Sequence, residues 1–146
     1  MHQIRTASST WSGDLLTGSG MITSVTSGSI ARLPVSWAAR TEDHGGKTSP
    51  EELLAAAHTS CYAMQLSALI GEAGGTPVAL QVSADVTLAP DPAGGFHLTG
   101  IALTVRGEVE GLDAAGFATA AAAAKATCPI SKALTGVAIS LDAALD

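Results

Sequence analysis

The stretch TSPEELLAAAHTSCYAMQLSALIG, residues 48–71, constrains the fold more than any other part of the chain. Ser49 can cap a helix, Pro50 suits the first turn, and Glu52 stands three residues after Ser49 to complete a capping box. Leu53, Leu54, Ala57, Cys61, Met64, Leu66, Leu69 and Ile70 then carry apolar character to Gly71. A helix of about 20 residues with so little charge must be buried on more than one side, so it belongs at the centre of the fold.

The flanking sequence reads as β structure. Alternation, Thr/Ser/Val content and glycines at 13, 18, 20 and 28 predict strands over 6–12, 15–25 and 29–34, with Pro34 ending the run and a less regular segment through Trp37 and Arg40. TEDHGGKTS, 41–49, has the composition of an exposed loop. Residues 78–89 and 96–107 predict two strands joined by the turn PDPAGG. Asp113 can cap an alanine-rich helix to about residue 127, where Cys128-Pro129 interrupts it. ISKAL adds a turn or two, and VAISLDAAL makes a last strand. The order β-β-β-α-β-β-α-β contains no repeated βαβ unit, which gives an α+β class and one domain over 1–146.

Composition excludes several functions. The net charge is −6, with no Lys/Arg cluster, which argues against nucleic-acid partners. No uninterrupted apolar run reaches the length of a membrane span, and MHQIRTASSTWSG lacks the apolar centre of a secretory signal. The expected compartment is therefore the cytoplasm, where thiols stay reduced. Only 14% of residues are charged, so part of the surface is expected to be covered, most simply by a second subunit.

The two cysteines carry the chemistry. Cys128 precedes Pro129 at a helix start, where backbone N–H groups and the helix dipole lower a thiol pKa, and Lys125 and Lys132 are close in sequence. Cys61 sits mid-helix, with His58 three residues earlier on the same face and able to polarise it. Each cysteine alone could equally be core filling. A zinc site lacks any C-x-x-C or H-x-x-x-H spacing, and a serine hydrolase lacks its G-x-S-x-G elbow.

Thiol redox chemistry fits the pair better. One thiolate attacks a peroxide and becomes a sulfenic acid, and the second condenses with it to a disulfide. Such a site needs a cation; Arg40 is the best candidate, with Glu51 or Glu52 available to orient it bidentately. Glu51 and Cys61 lie about 15 Å apart along one helix and about 80° apart around it, so Glu51 cannot touch its own Cys61. If both serve one site, Glu51 reaches the Cys61 of a second chain, which predicts a dimer with shared sites. A redox-responsive switch without turnover and a small-molecule carrier are the alternatives.

Taken in order, WSGDLLTGSG at 11–20, Arg40, TSPEELLAAAHTSC at 48–61, ADVTL at 84–88 and KATCPISKAL at 125–134 resemble the osmotically inducible protein C/organic hydroperoxide resistance (OsmC/Ohr) family, and its OsmC branch in particular. The resemblance implies an intertwined homodimer, with antiparallel sheets wrapped around long central helices and two interface sites. It implies Cys61 as the peroxidatic thiol, Cys128 as the resolving thiol, and Arg40 and Glu51 as organising residues. It also implies reduction of organic hydroperoxides to alcohols, with an external lipoamide-type dithiol restoring the thiols and no metal or cofactor. Apolar residues such as Leu53, Met64 and Phe117 would favour greasy peroxides over hydrogen peroxide.

Overall fold

The computed structural model describes all 146 residues, which form two compact units, Met1–Leu53 and Leu54–Asp146. The first unit holds an antiparallel sheet in the order β1 (Ala7–Ser12), β2 (Ser19–Val25), β3 (Leu33–Val35). Residues 15–18, expected to open a strand, instead form a turn. Asp14 Oδ1 accepts the N–H groups of Leu16 and Thr17, a local bond that competes with strand pairing. Gly20 gives the Trp11 ring its seat, because a Cβ there would lie 2.8 Å from both Trp11 Cε3 and Val35 Cγ2.

The third expected strand shrinks to three residues, and Pro34 lies inside it rather than ending the run. Proline is tolerated because β3 is an edge strand, where no neighbour needs its missing N–H. The segment after it is also more regular than expected. Ser36 Oγ accepts the Ala39 N–H and caps a short helix, α1 (Trp37–Thr41).

Helix α2 (Pro50–Glu72) starts where the capping signal placed it, with Ser49 Oγ accepting the Glu52 N–H. Its length and mean hydropathy of 1.3 are enough to cross a membrane even though polar residues punctuate it. His58, Tyr62, Leu66 and Ile70, spaced every fourth residue, form its buried stripe, whereas Met64 is exposed.

In the second unit, β4 (Thr76–Pro90) and β5 (Phe96–Glu110) form a long antiparallel hairpin, and β6 (Ile139–Leu145) pairs parallel with β5. The parallel pairing departs from the expected all-antiparallel sheets. Between them α3 (Ala114–Thr127) and α4 (Pro129–Ala133) form the helical crossover that a parallel neighbour requires. Asp113 caps α3 by accepting the Gly116 N–H at 2.7 Å. Alternate residues Ile101, Leu103 and Val105 of β5 are sealed into one core with Tyr62, Leu66, Ile70, Phe117 and Ala120, Ala121 and Ala124 of α3. Gly107 completes the fit, because a Cβ there would meet the Phe117 ring at 2.5 Å. Phe117 is thus committed to the core, and neither it nor exposed Met64 supports the expected apolar lining around Cys61.

Candidate active site

The sulfurs of Cys61 and Cys128, 67 residues apart in sequence, lie 3.1 Å from each other in the second unit, both as free thiols. Helix α2 supplies the first and the α3–α4 break supplies the second. Cys128 ends α3 through its N–H to Ala124 O and begins α4 directly before Pro129. Cys128 is fully buried, and Cys61 is partly open.

The two thiols titrate as a pair. Burial pushes the Cys61 thiol up, its hydrogen bond with Cys128 adds to the rise, and the Ile130 N–H opposes it. Burial also works against a Cys128 anion, but it is outweighed by the Ser131 N–H, the Cys61 thiol, the Ile130 N–H and the Ser131 hydroxyl, so Cys128 falls below the ordinary thiol value. The Cys128 side chain makes no capping hydrogen bond at the start of α4. The two shifts run in opposite directions, Cys61 up and Cys128 down, so an anion is better supported on Cys128. Lys125 directs its Nζ to Ile139 O, at 3.0 Å, rather than bonding the Cys128 sulfur.

His58, whose spacing would let it polarise Cys61, bonds elsewhere. It is fully buried, and its Nε2 lies 2.7 Å from Ser131 Oγ. Burial lowers its pKa, so the imidazole stays neutral near pH 7. Ser131 escaped notice in the sequence. The signal was there in Cys-Pro-Ile-Ser: a serine three residues beyond a helix cap faces back toward the capping side chain.

The other candidates pair in the first unit. Arg40 Nε lies 3.0 and 3.1 Å from the two Glu51 oxygens, and Nη2 lies 2.7 Å from Oε1, so the carboxylate grips the guanidinium bidentately. Glu51, not Glu52, is the partner. The guanidinium also sits 5.8 Å from the centroid of the Trp37 ring. Arg40 lines a pocket of about 400 Å³ with Trp11, Leu15, Val35, Ser36, Trp37 and Pro50, and is its one charged residue.

An α+β fold with a close thiol pair, one sealed and one partly open, describes a class of small thiol proteins, and comparison with known proteins narrows it. The family described as OsmC-like protein matches residues 43–142, and the chain belongs to it. It is 43% identical over 124 residues to peroxiredoxin OsmC of Escherichia coli (strain K12), covering 85% of each chain. It is 34% identical over 89 residues to the organic hydroperoxide resistance protein OhrA of Bacillus subtilis (strain 168), covering 61% of each. Among solved structures, the organic hydroperoxide resistance protein OhrB of Bacillus subtilis superposes with a TM-score of 0.73 at 28% identity, covering 94% of this chain and 97% of that one.

Proposed function

We propose that this protein is a cysteine-based peroxidase that reduces organic hydroperoxides to alcohols. The observation that carries the reading is the 3.1 Å approach of two free thiols, one partly open and one sealed. Only the open sulfur can be met by a peroxide, so Cys61 is the peroxidatic thiol and Cys128 the resolving one. The resting anion favours Cys128, and transfer of the shared proton across the sulfur–sulfur contact moves it to Cys61. The Cys61 thiolate then attacks the terminal oxygen of the hydroperoxide. The O–O bond breaks, the alkoxide takes the proton that Cys128 had received and leaves as the alcohol, Cys128 is again an anion, and Cys61 is left as a sulfenic acid.

Cys128 next attacks the Cys61 sulfur, the S–O bond breaks, and the oxygen leaves as hydroxide to be protonated to water. An external dithiol, of lipoamide type, reduces the disulfide, with no metal or bound cofactor. Arg40, oriented by Glu51, holds the peroxide and offsets charge developing on its oxygens. The Trp11, Leu15 and Trp37 wall of the Arg40 pocket suits an organic group over a second hydroxyl. The working form is a homodimer with shared sites, in the reducing cytoplasm. The similarity to a peroxiredoxin and to organic hydroperoxide resistance proteins supports this reading.

Steady-state rates with cumene hydroperoxide and with hydrogen peroxide test it. The organic substrate is expected to be favoured in kcat/KM by at least about tenfold, the scale of a modest apolar pocket contribution. A clear preference for hydrogen peroxide, or no turnover of either with a dithiol present, would refute it.

A further inference from the structure

His58 is a buried titratable group that the chemistry above leaves unused, and its surroundings are asymmetric. Nε2 lies 2.7 Å from Ser131 Oγ, whereas Nδ1 is buried without any partner. A buried N–H without an acceptor is rarer than an unmatched acceptor lone pair. The neutral imidazole therefore carries its proton on Nε2 and leaves the lone pair on Nδ1. Nε2–H then donates to Ser131 Oγ, which releases the hydroxyl's own proton to be donated onward. Ser131 lies in the first turn of α4, three residues after Cys128, and its hydroxyl and N–H both favour the Cys128 anion.

We propose that His58 and Ser131 are positioning residues for Cys128: the Nε2–H bond fixes the Ser131 hydroxyl so that its own O–H is directed toward the sulfur, favouring Cys128 as an anion during its attack on oxidised Cys61. Only that last clause rests on the peroxidase reading; the donor chain itself belongs to the reduced protein. The balance closes without a further base: thiolate and sulfenic acid give the disulfide and hydroxide, so no proton has to be removed from Cys128 during the attack. A neutral His58 directs the chain without placing a second charge in the core. The other titratable groups bearing on Cys128 are Cys61 and Tyr62 of α2. Tyr62 is pushed well up by burial, stays a phenol, and is occupied in donating to Ala121 O at 2.9 Å.

The test needs no peroxide. In a Cys61→Ser background Cys128 is the sole thiol, and ultraviolet thiolate absorbance against pH gives its midpoint. Ser131→Ala is expected to raise that midpoint by about one pH unit, the size of a lost hydrogen bond to a charged group. His58→Leu should raise it by less, in the same direction. An unmoved midpoint in Ser131→Ala, or in a folded His58→Leu protein, would overturn the proposal. Should His58→Leu not fold, nitrogen NMR of the unsubstituted protein decides: an Nε2-protonated neutral tautomer supports the chain and an Nδ1-protonated one overturns it. With Cys61 restored, rapid quenching after cumene hydroperoxide should show disulfide closure slowed about tenfold in Ser131→Ala, with the first oxidation unaffected. If no variant forms a disulfide while the midpoint shifts stand, the peroxidase reading fails and the donor chain survives.

Discussion

In the first unit, β1 is exposed along all six of its residues and Ala39 is the sole hydrophobic side chain sealed from solvent; in the second, eleven hydrophobic residues are sealed into one cluster. The proposed chemistry divides along the same line. Cys61 and Cys128 are held by packing, through a core helix and the break between two others. Arg40 and Glu51 are held by charge and hydrogen bonds on a lightly covered scaffold. Packing fixes the sulfur separation, whereas the ion pair fixes an orientation and leaves a pocket open. A sheet with so little core of its own is also suited to cover by a second copy of the chain, as the proposed dimer requires.

That division can be broken experimentally. The largest expected effect is on the polar side. Arg40→Ala should lower kcat/KM for cumene hydroperoxide by about a hundredfold, the usual cost of removing one donor to a charged transition state. Disulfide closure driven by diamide, which bypasses the peroxide, should stay within about twofold. Equal loss in both assays would mean that Arg40 supports the thiols structurally. Arg40→Lys should recover little, because the bidentate grip on Glu51 needs a guanidinium.

A smaller effect is expected on the packed side, from pH. His58 is lowered from 6.5 by burial, so the unfolded chain binds a proton there more readily than the folded one. Stability from this residue is complete above about pH 6.5. It falls as pH drops below that value, by up to about 1.4 kcal/mol per pH unit, until the folded imidazole is itself protonated. Urea midpoints between about pH 5 and 7.5 should show this slope in the unsubstituted protein and a flatter one in His58→Gln. An unchanged slope would assign the acid sensitivity elsewhere.

The parts legible in the sequence were those set by local signals. Ser49 and Pro50 marked the start of α2, Asp113 marked α3, and PDPAGG marked the β4–β5 turn. What escaped was set by distant contacts or by competition among short elements. The parallel β5–β6 pairing depends on how α3 and α4 return the chain, which no local pattern records. Residues 15–18 have strand composition, but Asp14 captures their N–H groups first. Spacing on one helix allowed His58 to reach Cys61, but the ring turns instead to Ser131, 73 residues away. The Arg40–Glu51 pairing was one of two options that sequence allowed, and the choice of Glu51 over Glu52 is a matter of helix phase.

The central claim is that oxidation begins at Cys61 and is resolved by Cys128. Trapping with dimedone after one equivalent of cumene hydroperoxide, followed by peptide mass spectrometry, tests it directly. In Cys128→Ser the account predicts a sulfenic-acid adduct on Cys61, and in Cys61→Ser no adduct and no peroxide consumption. A Cys61→Ser protein that consumed peroxide at the unsubstituted rate, with the adduct on Cys128, would contradict it.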